Sequence, residues 1–231
     1  MKLIGIVGRV YYNKDGQKII QVNEDIRKAL ARYDDVVITV ILPTNDSYYV
    51  DLSMGEDKID DADRKKLDYL LDMCDGFIVP GGSYWYKFDE YVMEYAISKN
   101  KPMLAICLGF QALCSMYAKD RDKFDMTKRL DNDSHYGDRY QYIHENIILD
   151  GTKLKNILGK DRILVDSVHH DYIDIEMNEL KKCAVSVDGV LEAVELVDKD
   201  FVIGVEWHPE YILDDNSIKL FDSFVNSVKN V

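Results

Sequence analysis

Four short runs in the first half of the chain, Leu3–Val7, Val36–Leu42, Phe77–Val79 and Met103–Ile106, are apolar and lack the alternating polarity of a half-exposed strand. A strand that is apolar on both faces must be covered on both faces. The segments between them have the spacing of helices. Val22–Tyr33 sets Val22, Ile26, Ala29 and Leu30 on one side, and Ala62–Met73 leads Leu67, Leu70, Leu71 and Cys74 down another. Phe88, Val92, Tyr95 and Ala96 repeat the pattern, and Leu108–Lys119 follows the fourth run as a helix. Strand and helix in strict alternation predict a parallel sheet with helices on both sides.

The second half changes rhythm. Cys183–Val187 and Val190–Leu196 flank Asp188-Gly189, a strong hairpin signal. Phe201–Trp207 is a further strand-like run, and Ser217–Val228 closes with Ile218, Phe221, Val225 and Val228 on one helical face. Residues 120–145 are polar, charged and aromatic without a clear period, and read as a long surface excursion. No repeat or Pro/Gly/Ser-rich linker divides the 231 residues, so 1–231 reads as one domain. With 29 Lys plus Arg against 42 Asp plus Glu, the net charge of -13 argues against a nucleic-acid or anionic-membrane surface. No apolar stretch approaches the length of a membrane span. The N-terminal MKLIGIVGRV is expected to be a strand rather than a leader. Cys74, Cys107, Cys114 and Cys183 form no C-x-x-C pair, which leads us to expect a cytoplasmic protein with reduced thiols.

Three segments carry chemistry. In Pro102–Leu113 an apolar strand runs into Cys107, and Leu108-Gly109 opens a helix at once. A nucleophile on so sharp a turn is held out of the sheet by a strained backbone. The adjacent helix N-terminus favours the thiolate, and the Leu108 N–H can face an oxyanion. In Val205–Tyr211, Pro209 keeps His208 extended. Residues i and i+2 of an extended chain share a side, so Glu210 can orient the His208 imidazole. In Asp75–Ser83 a strand ends at Gly81-Gly82, where backbone can approach a ligand and offer N–H groups.

Together, strand-Gly-Gly, strand-Cys-x-Gly-x-Gln and a distant His-Pro-Glu resemble the class I glutamine amidotransferase superfamily. AICLGFQ, VDGVLEAVE and IGVEWHPE are most similar to its gamma-glutamyl hydrolase group, the C26 peptidases, which includes the gamma-glutamyl-gamma-aminobutyrate hydrolases. The resemblance implies a flavodoxin-like three-layer α/β sandwich, with a central mostly parallel sheet and a small antiparallel meander. It implies Cys107 as nucleophile, His208 as general base, Glu210 as its partner, and Gly82 and Leu108 as oxyanion donors. Gly81, Gln111, Ser167 and His169 would lie beside a γ-glutamyl substrate. No metal or organic cofactor is implied. Partners would be limited to the small-molecule substrate and a second copy of the chain; a synthase that receives ammonia is the less favoured alternative, and a catalytically silent binding protein a third.

The sequence departs from the family around the substrate. Ala105 replaces a common glycine, Asp166 stands where Asn is common and Asp171 where Gln is. The loop after Gly82 carries Tyr84, Trp85 and Tyr86, expected to wall the leaving-amine side. Among the histidines, a zinc site on the adjacent His169 and His170 is disfavoured, because neighbours in an extended segment point to opposite faces. Asp131–Gly137 fails the order of a calcium loop, and Gly5–Gly8 matches no phosphate-binding pattern.

Overall fold

The computed structural model describes residues 1–44, 61–83, 86–120, 127–130 and 133–230. The four apolar runs are β1 (Lys2–Val7), β4 (Val36–Ile41), β5 (Gly76–Val79) and β6 (Met103–Ile106). They pair in parallel in the order β4-β1-β5-β6, and β13 (Val202–Val205) joins them, parallel to β6. The same sheet then continues antiparallel through β12 (Leu191–Leu196), β11 (Leu180–Ser186), β8 (His144–Ile148) and β9 (Arg162–Val165). The expected meander is thus the second half of one nine-stranded sheet. Two small ribbons lie apart from it: β2 (Arg9–Tyr12) with β3 (Lys18–Gln21), and β7 (Thr127–Arg129) with β10 (Asp171–Ile173).

Helices cover both faces, as strands apolar on both sides require. One core joins α1 (Glu24–Leu30), α5 (Lys153–Leu158) and α6 (Asp215–Lys229) to one side of the sheet through Ile26, Leu154, Phe221 and Phe224, among others. A second core joins α2 (Asp61–Met73), α3 (Lys87–Ser98) and α4 (Leu108–Met116) to the other through Leu67, Phe88, Val92 and Phe110. Helix starts follow local chemistry. Asn23, Thr152 and Asp214 each accept a hydrogen bond from a first-turn N–H of α1, α5 and α6. No helix of the described residues is long and apolar enough to cross a membrane.

Candidate active site

β6 ends at Ile106 and α4 begins at Leu108, which leaves Cys107 alone to make the turn. It does so at φ 50° and ψ -110°, a strained conformation for a residue with a side chain. Two backbone bonds hold it there: its N–H donates to Val205 O at 2.8 Å, and its carbonyl accepts from Gln111 N at 2.9 Å. Gly109 makes the turn possible, since a Cβ there would lie 2.2 Å from the Val79 carbonyl oxygen. The other three cysteines are buried and free. Burial pushes the Cys74 thiol up to about 11 and raises the thiols of Cys114 and Cys183 well above their ordinary value, so they are inert packing groups.

β13, adjacent to β6, delivers the second half of the site. His208 follows it, its backbone N–H held by Asp166 Oδ1 at 3.0 Å. Its Nδ1 lies 2.9 Å from Glu210 Oε1, and its ring stacks on Tyr211 at 4.5 Å between centroids. Cys107 interacts with the same imidazole. Burial opposes charge on His208, but the Glu210 carboxylate and Cys107 outweigh it and hold the ring protonated well above its usual range. The arrangement can therefore supply a nucleophile, a proton donor and a fixed tautomer. Asp166 is affected in turn: burial, then the neighbouring Glu210, push its carboxyl up to about 7 against the opposing pull of His208.

Gly81-Gly82 closes the site from β5. A Cβ on Gly81 would lie 2.8 Å from His208 Cε1, so only glycine lets this strand end rest against the ring. Arg9, buried at the start of β2, fixes the two peptides. Its guanidinium donates to Pro80 O at 2.5 Å and to Gly81 O at 3.3 Å, and pairs with Asp89 at 2.5 Å. All peptides described here are trans, so carbonyls held by Arg9 turn the N–H groups of Gly81 and Gly82 the opposite way. Leu108 is Gly82's neighbour: a Cβ on Gly82 would lie 3.1 Å from Leu108 Cδ2. As the first residue of α4, Leu108 carries an N–H without an intrahelical partner. Cys107, Gly81, Gly82, His208 and Glu210 line one cleft of about 530 Å³, with Arg9, Tyr86, Arg139, Val168 and Tyr211.

The sequence pattern of one known family, Peptidase C26, matches residues 86–210, more than half of the chain. The chain belongs to the Peptidase C26 family. Among curated relatives, the Schizosaccharomyces pombe protein PB2B2.05, provisionally named a glutamine amidotransferase, is 34% identical over 60% of this chain and 55% of its own. Protein NtpR of Enterococcus hirae is 34% identical over 60% of each chain. The chain thus spans little more than half the length of either. The gamma-glutamyl-gamma-aminobutyrate hydrolase PuuD of Escherichia coli is 25% identical over 73% of this chain and 78% of its own. Among solved structures, the glutaminase domain of Trypanosoma brucei CTPS aligns with all of this chain and 94% of that one, at a TM-score of 0.68 and 18% identity. That likeness establishes the shared fold.

Within this C26 fold the residues expected beside the substrate divide. Gly81 and Gly82 line the cleft, whereas Gln111, Ser167 and His169 do not. Gln111 is 6% exposed and donates to the buried Glu206 Oε1 at 2.6 Å. Ser167 is fully buried and donates to His135 O at 2.6 Å. His169 is 5% exposed and turned to the Asp171 carbonyl. The segment reaches the cleft through Val168 instead. Tyr84 and Trp85 lie outside the described residues, and Tyr86 lines the cleft. Sequence reading missed Arg9, Asp166, Arg139 and Tyr211. Only Asp166 carries a signal, as a carboxylate in a position where Asn is common, and the sequence alone places it around the substrate rather than on the His208 backbone.

Proposed function

We propose that this chain is a cysteine-dependent hydrolase of γ-glutamyl amides, acting through a thioester. The observation that carries the reading is the convergence on one cleft of Cys107, strained at the β6–α4 turn, and His208, oriented by Glu210 at 2.9 Å. The Cys107 sulfur attacks the γ-carbonyl carbon, and the N–H groups of Gly82 and Leu108 stabilise the oxyanion. His208 passes its proton to the amide nitrogen as the carbon–nitrogen bond breaks and the amine leaves. The imidazole, now neutral, takes a proton from water, which attacks the thioester; glutamate departs and the cysteine is regenerated.

Family membership supports hydrolysis, and the relative named for γ-glutamyl-γ-aminobutyrate supports the glutamyl half of the substrate. Arg139, on the cleft wall with its guanidinium 5.4 Å from the Tyr211 ring centre, is the group we assign to the glutamyl α-carboxylate. The test is turnover of a panel of γ-glutamyl amides, glutamine included, with release of glutamate and of amine measured separately. Turnover of secondary amides that is abolished in Cys107→Ala supports the reading. Activity on glutamine alone would assign the chain to ammonia supply for a synthase. Turnover surviving in Cys107→Ala would require another nucleophile.

A further inference from the structure

On the antiparallel half of the sheet, the side chains of His135, His144, His169 and Glu192 converge. One ligand atom from each lies within 4.8 Å of all the others. They come from four separate places: the loop before β8, β8 itself, the segment after β9, and β12. His135, His169 and Glu192 are buried, and the His144 side chain is 12% exposed. Measured to Glu192 Oε1, His135 Nδ1 is at 3.1 Å, His169 Nε2 at 3.6 Å and His144 Nε2 at 3.9 Å. Two of these contacts are too long for hydrogen bonds, and the third lacks the alignment of one. In a tetrahedral metal site with bonds of roughly 2.0–2.1 Å, ligand atoms stand about 3.3–3.4 Å apart. The observed separations straddle that spacing.

One unpaired atom of each of the four side chains faces the others. Ten buried side-chain nitrogens and oxygens among the described residues lack a hydrogen-bond partner, and half of them belong here: His135 Nδ1, both His144 nitrogens, His169 Nε2 and Glu192 Oε1. The opposite atoms of three of these groups are committed. His135 Nε2 lies 3.1 Å from Asp188 Oδ1, His169 Nδ1 lies 2.9 Å from the Asp171 carbonyl, and Glu192 Oε2 accepts from Asn146 at 3.1 Å. A carbonyl or carboxylate can take the ring proton on that side; with a cation in the cluster, in place of the proton that Glu192 and Asp188 otherwise favour on His135, His135 Nδ1 and His169 Nε2 can each offer it a lone pair. Outer partners of this kind fix the tautomer and orientation of metal-binding histidines. Buried polar atoms left unpaired toward a common point are costly, and a cation at that point satisfies them together.

We infer that His135, His144, His169 and Glu192 form a binding site for a divalent transition metal, with zinc the best match to three imidazoles and one carboxylate. Four protein ligands leave no open position, so the ion is structural rather than catalytic. A shallow surface cleft lined by Ser134, His135, His144 and Asp188 gives it a way in. The ion ties the Ser167–His169 segment to the loop that carries Arg139. Gly137 N already donates to Ser167 O at 3.1 Å between them, and Val168 and Arg139 both line the active-site cleft. His170 takes no part, because it turns to the other side and stacks on Tyr136 at 4.1 Å.

The test is metal content and Co²⁺ spectroscopy of the full chain. Protein freed of metal with a chelator, then given excess Zn²⁺ and desalted, should retain about one ion per chain by elemental analysis. Co²⁺ in its place should show the intense visible bands of a tetrahedral site. His144→Ala should lose at least tenfold in affinity, and His170→Ala should bind as the parent does. Zn²⁺ should raise the melting temperature of the parent but not of Glu192→Gln. Loss of binding in His144→Ala with binding kept in His170→Ala supports the site. A parent chain that retains no Zn²⁺ and gives no tetrahedral Co²⁺ spectrum overturns it, whether or not the variants fold. So does a folded His144→Ala that binds as tightly as the parent.

Discussion

At the scale of single residues, two carboxylates beside His208 do opposite things. Glu210 takes the imidazole Nδ1 at 2.9 Å and favours the charged ring. Glu210→Gln keeps the shape and removes that charge. We expect a fall of roughly 10³- to 10⁴-fold in kcat, less than the loss in Cys107→Ala, because the base itself remains. The limb of the pH–rate profile that reports His208 should move to lower pH. An unchanged profile would mean that Glu210 does not set the protonation of His208. Asp166 is the reverse case. It holds the His208 backbone, yet burial pushes its carboxyl up to about 7 from an ordinary value of 3.8. The folded chain therefore binds this proton more tightly than the unfolded chain does. Its contribution is complete below about pH 4 and is lost as the pH rises through about 7, by at most about 4 kcal/mol. Asp166→Asn does not titrate and can still accept from the His208 N–H. Its melting temperature should gain on the parent between pH 5 and pH 8, and a constant difference across that range would show that Asp166 ionises freely in the fold.

Elements differ in how plainly they were written in the sequence, and the difference is physical. β5, β6 and β13 are buried on both faces, so their residues form unbroken apolar words. α6 packs Leu220, Phe221, Phe224, Val225 and Val228 against the sheet, and its period is strong for that reason. By contrast β8 mixes half-buried with buried positions and β9 alternates exposed with buried ones at the open end of the sheet, and α5 has only six residues. None of these carries a pattern long enough to separate it from a loop. The β2–β3 ribbon was missed because it packs almost nothing: β3 is exposed along its whole length. The β6–α4 turn is the element most tightly specified, and Gly109 shows why. A methyl group there would press to 2.2 Å on the Val79 carbonyl oxygen and 3.0 Å on its carbon, both backbone atoms of β5. Gly109→Ala should therefore cost about 1–3 kcal/mol in urea unfolding as α4 is pushed from the sheet. The same shift moves Cys107 relative to His208, and a misplacement of about 1 Å can cost on the order of 10²-fold in rate. A variant that lost stability but kept the parent rate would show that the turn tolerates displacement.

Across the whole molecule, the convergence of Cys107, His208 and Glu210 was legible because these residues sit in short local motifs, Cys-x-Gly and His-Pro-Glu, whose geometry follows from the backbone alone. The rest was not, because it is assembled over distance. Arg9 reaches Pro80, Arg139 reaches Tyr211, and His135 meets Glu192 across 57 positions of sequence only after the sheet has formed. Net charge is the one property that acts at long range without such assembly. At -13 the chain repels an anion before any contact is made, while Arg139 attracts a carboxylate only once it is inside the cleft. The two effects separate by ionic strength. At about 0.01 M salt the screening length is roughly 30 Å, comparable with the whole molecule, and at about 0.15 M it contracts to roughly 8 Å, so the remote charges fade while a contact in the cleft persists. For a γ-glutamyl amide whose amine carries a carboxylate, the substrate bears net negative charge, and kcat/KM should rise several-fold between those two conditions. For the γ-glutamyl amide of an uncharged alkyl amine, the substrate is zwitterionic and kcat/KM should stay nearly flat. Equal responses from both substrates would show that salt acts on the enzyme rather than on the encounter. A fall for the anionic substrate would mean that the local field of Arg139 governs approach as well as binding.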